Sequence, residues 1–296
     1  MVVGCYEVPL GIDGSFVNST LMPIDKINGI KLYWELNGSQ GEPLVFIHGS
    51  WGDHHNWDRV TGELSQTFRV ITYDRRGHSQ SERLSEQGSL EEDVDDLVAL
   101  IEYLQLSPAH IIGNSGGAAV ALKTAAQHAA LFQTLVIHEP PLFGLLKNVP
   151  EAQPFLTEVN SRIKAVVSLL EKGENDEAAK RFVETIAFGP GAWQQLPSNV
   201  QKTFFYNAPT FLDETKDPDN LELKIEQLVQ FSRAALLTSG TQSPPFFVMV
   251  LDQLAKALPH AKRKIIEGAG HVPHLSHPEQ YIQLVKEFCS TNAMGE

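Results

Sequence analysis

The chain has 296 residues, of which 42% are hydrophobic and 20% are charged. This length and balance suit one large globular domain with an insertion, or two small domains. The formal net charge of −13 argues against binding to nucleic acid or to an anionic membrane surface. No long apolar run predicts a membrane span, and the N-terminus lacks the pattern of a signal peptide. Cys5 and Cys289 fit free thiols in a reducing compartment, so we predict a cytoplasmic protein.

Strands and helices alternate along the first half of the chain. Residues 1–20 are treated as an N-terminal extension without an assigned role. Two β-type runs follow, and Asn28-Gly29 between them predicts a hairpin. Further strands are predicted at residues 43–48, 68–74, 109–112 and 131–137, and helices at 57–64, 89–105 and 118–126. This order is typical of an α/β fold with a mostly parallel central sheet and helices on both faces.

The alternation breaks after Pro140 and resumes near residue 233. Helices without a convincing strand are predicted between these points, at residues 154–171, 176–187, 198–207 and 221–233. A strand, a helix, a strand and a helix then complete the pattern, at 234–238, 246–258, 263–266 and 278–289. We therefore divide the chain into a core of residues 21–139 and 233–296 and an inserted helical lid of residues 140–232.

One serine lies where a predicted strand passes into a predicted helix. Ser115 is the central residue of a Gly-x-Ser-x-Gly pattern, which in this context is typical of a nucleophile on a strained turn. Gly113 and Gly117 leave room where strand and helix approach each other. The free N–H groups of a helix N-terminus favour negative charge. Ser115 is therefore the predicted nucleophile; the alternative is a glycine-rich turn that only joins the two elements.

A serine hydroxyl needs a base, and His271 is the predicted one. It follows the last predicted strand in the loop Gly268-Ala269-Gly270-His271, which places it at the same edge of the sheet as Ser115. His274 and His277 follow at three-residue spacing, but no acidic or cysteine ligand accompanies them. The run therefore does not predict a metal site.

His48-Gly49-Ser50-Trp51 follows another predicted strand. The backbone N–H of Ser50, or alternatively that of Trp51, would form an oxyanion hole together with the N–H of Gly116. The alternative is a glycine loop that only packs.

These motifs together resemble the α/β-hydrolase family, from about Pro23 to Phe288. The stretches that carry the resemblance are His48-Gly49, Asp74 to Ser81, Gly113 to Gly117 and Gly268 to Pro273. The resemblance implies the α/β-hydrolase fold, acyl chemistry at a serine and no cofactor. Ser115 argues against the family members that use an aspartate nucleophile.

The position of the triad acid departs from the family pattern. The family usually carries it after the strand that follows the lid, but Gly240 to Pro244 contains no carboxylate. Asp252 is the nearest acidic residue, but it falls inside a predicted helix. The stretch Ile137 to Pro140 resembles the corresponding stretch of lactonases that open the ring of zearalenone, where a glutamate completes the triad. The resemblance therefore implies Glu139 as the acid, and a dyad without an acid is the alternative.

The function predicted from these residues is that of a serine hydrolase, which cleaves a carboxylic ester or lactone through an acyl-enzyme. The same triad would also serve hydrolysis of a carbon–carbon or thioester bond, or perhydrolysis. A non-enzymatic small-molecule sensor is the alternative outside the enzymes. We expect a small, neutral, largely apolar acyl substrate. The sequence is also compatible with a homodimer. The predicted pocket residues are Trp51, Asn114, Leu142, Phe143 and Trp193.

Overall fold

The computed structural model describes residues 23–85, 88–219 and 221–293. Strands in these residues are β1 Ile24–Ile27, β2 Ile30–Asn37, β3 Pro43–Ile47, β4 Arg69–Tyr73, β5 Ala109–Asn114, β6 Phe132–His138, β7 Ala234–Gly240 and β8 Lys262–Ile266. They form one sheet in the order β1-β2-β4-β3-β5-β6-β7-β8. The β1–β2 and β2–β4 pairs are antiparallel, and the other pairs are parallel. The predicted extension of residues 1–20 lies outside the described residues.

The predicted hairpin at Asn28-Gly29 is confirmed. Both residues have a positive φ, 46° and 85°, as a tight two-residue hairpin turn requires. Ile27 pairs with Ile30 directly across the turn, so the turn sets the register of the first strand pair. The chain thereby enters the sheet at one edge, while β8 forms the other edge.

Helices cover both faces of the sheet, as predicted. They are α1 Asp58–Leu64, α2 Leu90–Tyr103, α3 Gly116–Gln127, α4 Gln153–Leu170, α5 Asn175–Phe182, α6 Ala192–Gln195, α7 Ser198–Lys216, α8 Pro245–Ala257, α9 Pro273–Ser276 and α10 Pro278–Thr291. Neighbouring residues of β3 point to opposite faces. Val45 belongs to the apolar cluster under α2, α3 and α8, whereas Phe46 belongs to the cluster under α1 and α10.

The described residues between β6 and β7 contain helices and no strand. Part of this segment forms a third apolar cluster with Trp51, which includes Val166, Phe204 and Phe211. The helix α7 is longer than predicted: it continues through Pro209 to Lys216 and does not end near residue 207. Its buried face spans the proline, and packing of that face outweighs the local propensity to stop. The limits of a lid at residues 140 and 232 stay a prediction.

The helix predicted at residues 221–233 is wrong. The structure has only a short 3₁₀ turn there, Ile225–Gln230. Leu221, Leu223 and Ile225 are spaced two residues apart and pack against the sheet cluster. That spacing is typical of an extended segment and not of a helix.

No helix in residues 23–85, 88–219 or 221–293 is both long enough and apolar enough to cross a membrane.

Candidate active site

Ser115 lies on a strained turn between β5 and α3. Its backbone has φ 54° and ψ −123°, in a region that L residues rarely adopt. A Cβ atom on Gly113 would lie 2.4 Å from the Gly117 carbonyl oxygen, and one on Gly117 would lie 2.2 Å from that of Ile47. Neither glycine can therefore carry a side chain without a shift of the backbone. Strain of this kind points to a function for the serine.

His271 and Glu139 lie in contact at the carboxyl ends of the strands. The His271 Nδ1 is 2.7 Å from the Glu139 Oε2. The other carboxylate oxygen, Oε1, accepts a 2.8 Å hydrogen bond from the backbone N–H of Gly240. Both oxygens of this fully buried carboxylate are thus engaged. The end of β7, where the family usually carries its acid, here supplies a backbone donor to Glu139.

The pKa of Glu139 lies below its usual range. Burial alone would raise this pKa, but the hydrogen bond from His271 and the neighbouring imidazoles of His138 and His271 lower it by more. The residue also has a positive φ of 48°, a second strained position at this edge of the sheet. The carboxylate is therefore ionised at neutral pH and oriented toward His271.

The loop that carries His271 is fixed to the sheet. The Asn114 Nδ2 donates to the His271 carbonyl oxygen at 2.9 Å, so the residue before the serine holds the histidine's backbone. The Phe247 ring stacks on the imidazole with centroids 4.7 Å apart. A Cβ on Gly240 would lie 2.2 Å from the Ala269 carbonyl oxygen, so β7 and this loop approach closely. These contacts leave the ring of His271 little freedom to move.

His138 supports this arrangement, a role that the sequence analysis missed. Its Nδ1 lies 2.9 Å from the Thr238 hydroxyl and its Nε2 lies 3.3 Å from the Gly270 carbonyl oxygen. Burial lowers the pKa of His138 to about 4, so the ring is neutral at pH 7. His138 joins the ends of β6 and β7 to the loop of His271. Its place directly before Glu139 at a strand end was the available signal.

Ser50 lies next to Gly116, the residue that follows Ser115. A Cβ on Gly116 would lie 3.1 Å from the backbone nitrogen of Ser50. Gly116 is the first residue of α3, where backbone N–H groups have no acceptor within the helix. Trp51, the alternative donor, has a positive φ of 68°. The two backbone groups predicted for an oxyanion hole are therefore neighbours.

A cavity of about 420 Å³ contains Ser115 and His271 in its wall. Asn114 and Phe143, both predicted pocket residues, also line it. Most of the remaining wall is apolar and comes from α4, α7, α8 and the turn after α5: Leu156, Val159, Ile163, Ile186, Phe188, Phe204, Phe211, Phe246 and Phe247. Three charged side chains also lie in the wall: Lys147 and Glu222 are joined at 2.8 Å, and Glu214 is paired with Arg75 at 3.0 Å. This volume lies in the range of small-molecule sites.

Three predicted pocket residues are not among those that line this cavity, which corrects the prediction for them. Trp51 is fully buried, because its ring packs against Phe182 and Phe211 at 4.8 and 5.1 Å. Leu142 is only 1% exposed and belongs to the core cluster under α2, α3 and α8. Trp193 packs on the third cluster, edge-on to Phe204. Apolar character alone does not distinguish the wall of a cavity from the packing behind it.

The three closely spaced histidines do not converge. His274 is fully buried against the Trp57 ring, 4.4 Å away, and burial lowers its pKa. His277 contacts the hydroxyl of Ser276. Within the described ranges, no group of three or more histidine, cysteine or acidic side chains is arranged to hold a metal ion.

Asp252, the acid that the sequence analysis set aside, lies on the surface of α8. Its Oδ1 accepts a 2.6 Å hydrogen bond from Arg263, and its side chain is 48% exposed. This carboxylate therefore belongs to a surface ion pair, whereas the Glu139 carboxylate is buried and contacts His271.

Known proteins resemble the chain, and the chain spans less than two thirds of the length of some of these relatives. It is 29% identical over 160 residues to an uncharacterized hydrolase of Bacillus subtilis, YraK. This match covers 52% of this chain and 59% of the relative. It is 22% identical over 268 residues to 3-oxoadipate enol-lactonase 1 of Acinetobacter baylyi, which covers 88% of this chain and 93% of the relative. The solved structure of the enol-lactonase from Burkholderia xenovorans superposes with a TM-score of 0.73 at 19% identity, over 90% and 99% of the two chains.

The structural likeness establishes the fold, which agrees with the sheet order and the helices on both faces. A model of the alpha/beta hydrolase family matches residues 44–284. This match runs from β3 into α10 and includes Ser115, Glu139 and His271. The chain belongs to the α/β-hydrolase family.

Proposed function

We propose that the protein is a serine hydrolase that cleaves a carboxylic ester or a lactone through an acyl-enzyme. One juxtaposition carries the proposal. Ser115, on a strained turn, and His271, bonded to Glu139, line the same largely apolar cavity. A nucleophile, a base and an oriented acid at one cavity are the elements that acyl transfer to a serine requires.

The proposed mechanism uses these residues in turn. The Ser115 Oγ attacks the carbonyl carbon while His271 Nε2 takes its proton, since Nδ1 is engaged by Glu139. The tetrahedral oxyanion accepts hydrogen bonds from the N–H groups of Gly116 and Ser50. His271 then gives the proton to the alcohol oxygen as the carbon–oxygen bond breaks. A water molecule attacks the acyl-enzyme with His271 as base, which releases the acid and restores Ser115.

Glu139 orients and stabilises the imidazolium that forms on His271. Its lowered pKa keeps it negative at the pH where His271 works as a base. In a lactone the alcohol stays attached to the acyl group, so the same steps open the ring.

Residues 140–232 are proposed to act as a lid that selects the substrate. Side chains of α4 and α7 form much of the apolar wall, and its charged groups are paired, Lys147 with Glu222 and Glu214 with Arg75. This supports a small, neutral, largely apolar acyl substrate. The 3-oxoadipate enol-lactonase among the relatives supports lactone hydrolysis as one form of the reaction. A location in the cytoplasm and a homodimer stay predictions.

The test is a panel of uncharged esters and lactones of increasing size, measured on the wild type and on Ser115→Ala in parallel. An anionic ester, a thioester and a diketone complete the panel. We expect turnover of neutral esters or lactones that disappears in Ser115→Ala, and weaker turnover of the anionic ester. Turnover of the diketone alone would favour carbon–carbon bond hydrolysis instead. Binding without any turnover would favour a sensor.

A further inference from the structure

One face of α7 contacts Ser50, Trp51 and Gly52, three consecutive residues of the loop that carries the proposed oxyanion donor. Phe204, Asn207, Phe211 and Glu214 are spaced three, four and three residues apart, so they share one face of the helix. The Asn207 Nδ2 donates to the Gly52 carbonyl oxygen at 2.8 Å. The Phe204 and Phe211 rings pack on Trp51 at 6.2 and 5.1 Å.

Glu214 completes this set of contacts at Ser50. The Ser50 hydroxyl donates to the Glu214 Oε2 at 2.6 Å, across 164 residues of sequence. The other oxygen, Oε1, accepts from the Arg75 Nη2 at 3.0 Å. Arg75 is itself fixed by two bonds to Asp93 on α2, at 3.1 and 2.5 Å. The carboxylate of Glu214 therefore joins α7, the loop and the core.

The backbone conformation of the loop depends on these contacts. Trp51 adopts a positive φ, which is unfavourable for a residue with a side chain, so the contacts around it stabilise the turn. The Ser50 hydroxyl and backbone nitrogen both lie close to Gly116, 2.9 and 3.1 Å from where its Cβ would be. A change in the backbone dihedral angles of Ser50 would therefore move its N–H relative to that of Gly116, and a bond that holds the Ser50 side chain restrains such a change.

We propose that Glu214 is a positioning residue, which holds the Ser50 N–H beside the Gly116 N–H and thereby couples α7 to the oxyanion hole. This inference rests on the proposed function, because it assigns a role within acyl transfer. Glu214 also lines the cavity, so it acts at the point where the helical segment and the reacting groups meet.

The test compares Glu214→Ala, Glu214→Gln and Ser50→Ala, each measured for kcat and KM on one neutral ester. Loss of alignment of one donor should lower kcat by about 10- to 100-fold with little change in KM, because the donor acts mainly in the transition state. Glu214→Gln keeps an oxygen that can accept from Ser50, so it should recover part of the loss. The double variant of Ser50 and Glu214 should lose little more than the more impaired single variant.

Asp213→Asn is the matched control, because Asp213 is the adjacent carboxylate on α7 and pairs with Arg83 instead of the loop. Its kcat should equal that of the wild type. A raised KM with unchanged kcat in Glu214→Ala, or additive losses in the double variant, would overturn the inference. Failure of the proposed function has a different signature: turnover of the ester by the wild type that persists in Ser115→Ala, measured in parallel. If Glu214→Ala does not fold, Ser50→Ala and Glu214→Gln decide the question alone.

Discussion

The two sides of the candidate site are held by different parts of the molecule. On the acid side, Glu139 is bonded to His271 and Gly240, which follow or end strands of the sheet. On the oxyanion side, Ser50 is bonded to Glu214 of α7, in the segment between β6 and β7. The acid side is thus built by the sheet itself, whereas the oxyanion side also depends on a helix from the inserted segment.

This difference separates two kinds of sequence change. A change at the strand ends alters the proposed triad without changing the side chains of α7 in the cavity wall. A change on the buried face of α7 alters the wall and the oxyanion loop together, since Phe204, Phe211 and Glu214 contact both. Substrate preference and the rate of the chemical step are therefore expected to be coupled on the oxyanion side and separable on the acid side.

The largest effect on the acid side is expected from His271→Ala. Without its base, Ser115 loses the group that takes its proton, and we expect kcat to fall by at least about a thousandfold. Steady-state kinetics on the best ester of the panel measures this. His277→Ala is the control, since His277 contacts Ser276 and not Glu139. Equal losses in the two variants would remove His271 from its assigned role.

Glu139→Gln is expected to have the next largest effect. Glutamine keeps the shape but cannot stabilise the imidazolium, so we expect kcat to fall at least about a hundredfold, or about 2.7 kcal/mol in the barrier. The matched control is Asp252→Asn, which removes a carboxylate from a surface ion pair on α8. Near-wild-type activity in Glu139→Gln, or a loss in Asp252→Asn alone, would contradict the assignment.

The smallest effect concerns stability as a function of pH. The folded protein lowers the pKa of Glu139, so its ionised form stabilises the fold at pH values above the unfolded pKa of about 4.3. That stabilisation is lost as the pH falls through the lower folded pKa. The free energy of unfolding of the wild type relative to Glu139→Gln should therefore be steady near neutral pH and decrease in acid. Urea unfolding at a series of pH values measures it, and a difference that grows in acid would refute it.

The acid side could be predicted from the sequence, because its residues follow strands whose carboxyl ends meet at one edge. The sheet, the helices on its two faces and the placement of Glu139 next to His271 agree with that reasoning. The resemblance to known lactonases supplied the choice of Glu139 over Asp252. The place of His138 before Glu139 at a strand end is a sequence signal, but its partner Thr238 is not, because that contact depends on how β6 and β7 pair.

The oxyanion side could be predicted only in part. Ser50 and Gly116 follow from the motifs, but Glu214 does not, because the sequence analysis ended its helix near residue 207, before Pro209. Packing of the buried face carries α7 past that proline. The cavity wall was predicted by apolar character, which selected Trp51 and Leu142 although both side chains pack behind the wall. Which face of an inserted helix meets the site depends on tertiary contacts.

The most direct test of the central claim is to locate the covalent adduct on the protein. The wild type is treated with a fluorophosphonate, digested and mapped by mass spectrometry, with Ser115→Ala treated in parallel. A nucleophile on a strained turn with His271 as its base predicts one adduct, on Ser115, and none in the variant. An adduct on another residue, or equal labelling of Ser115→Ala, would contradict the account.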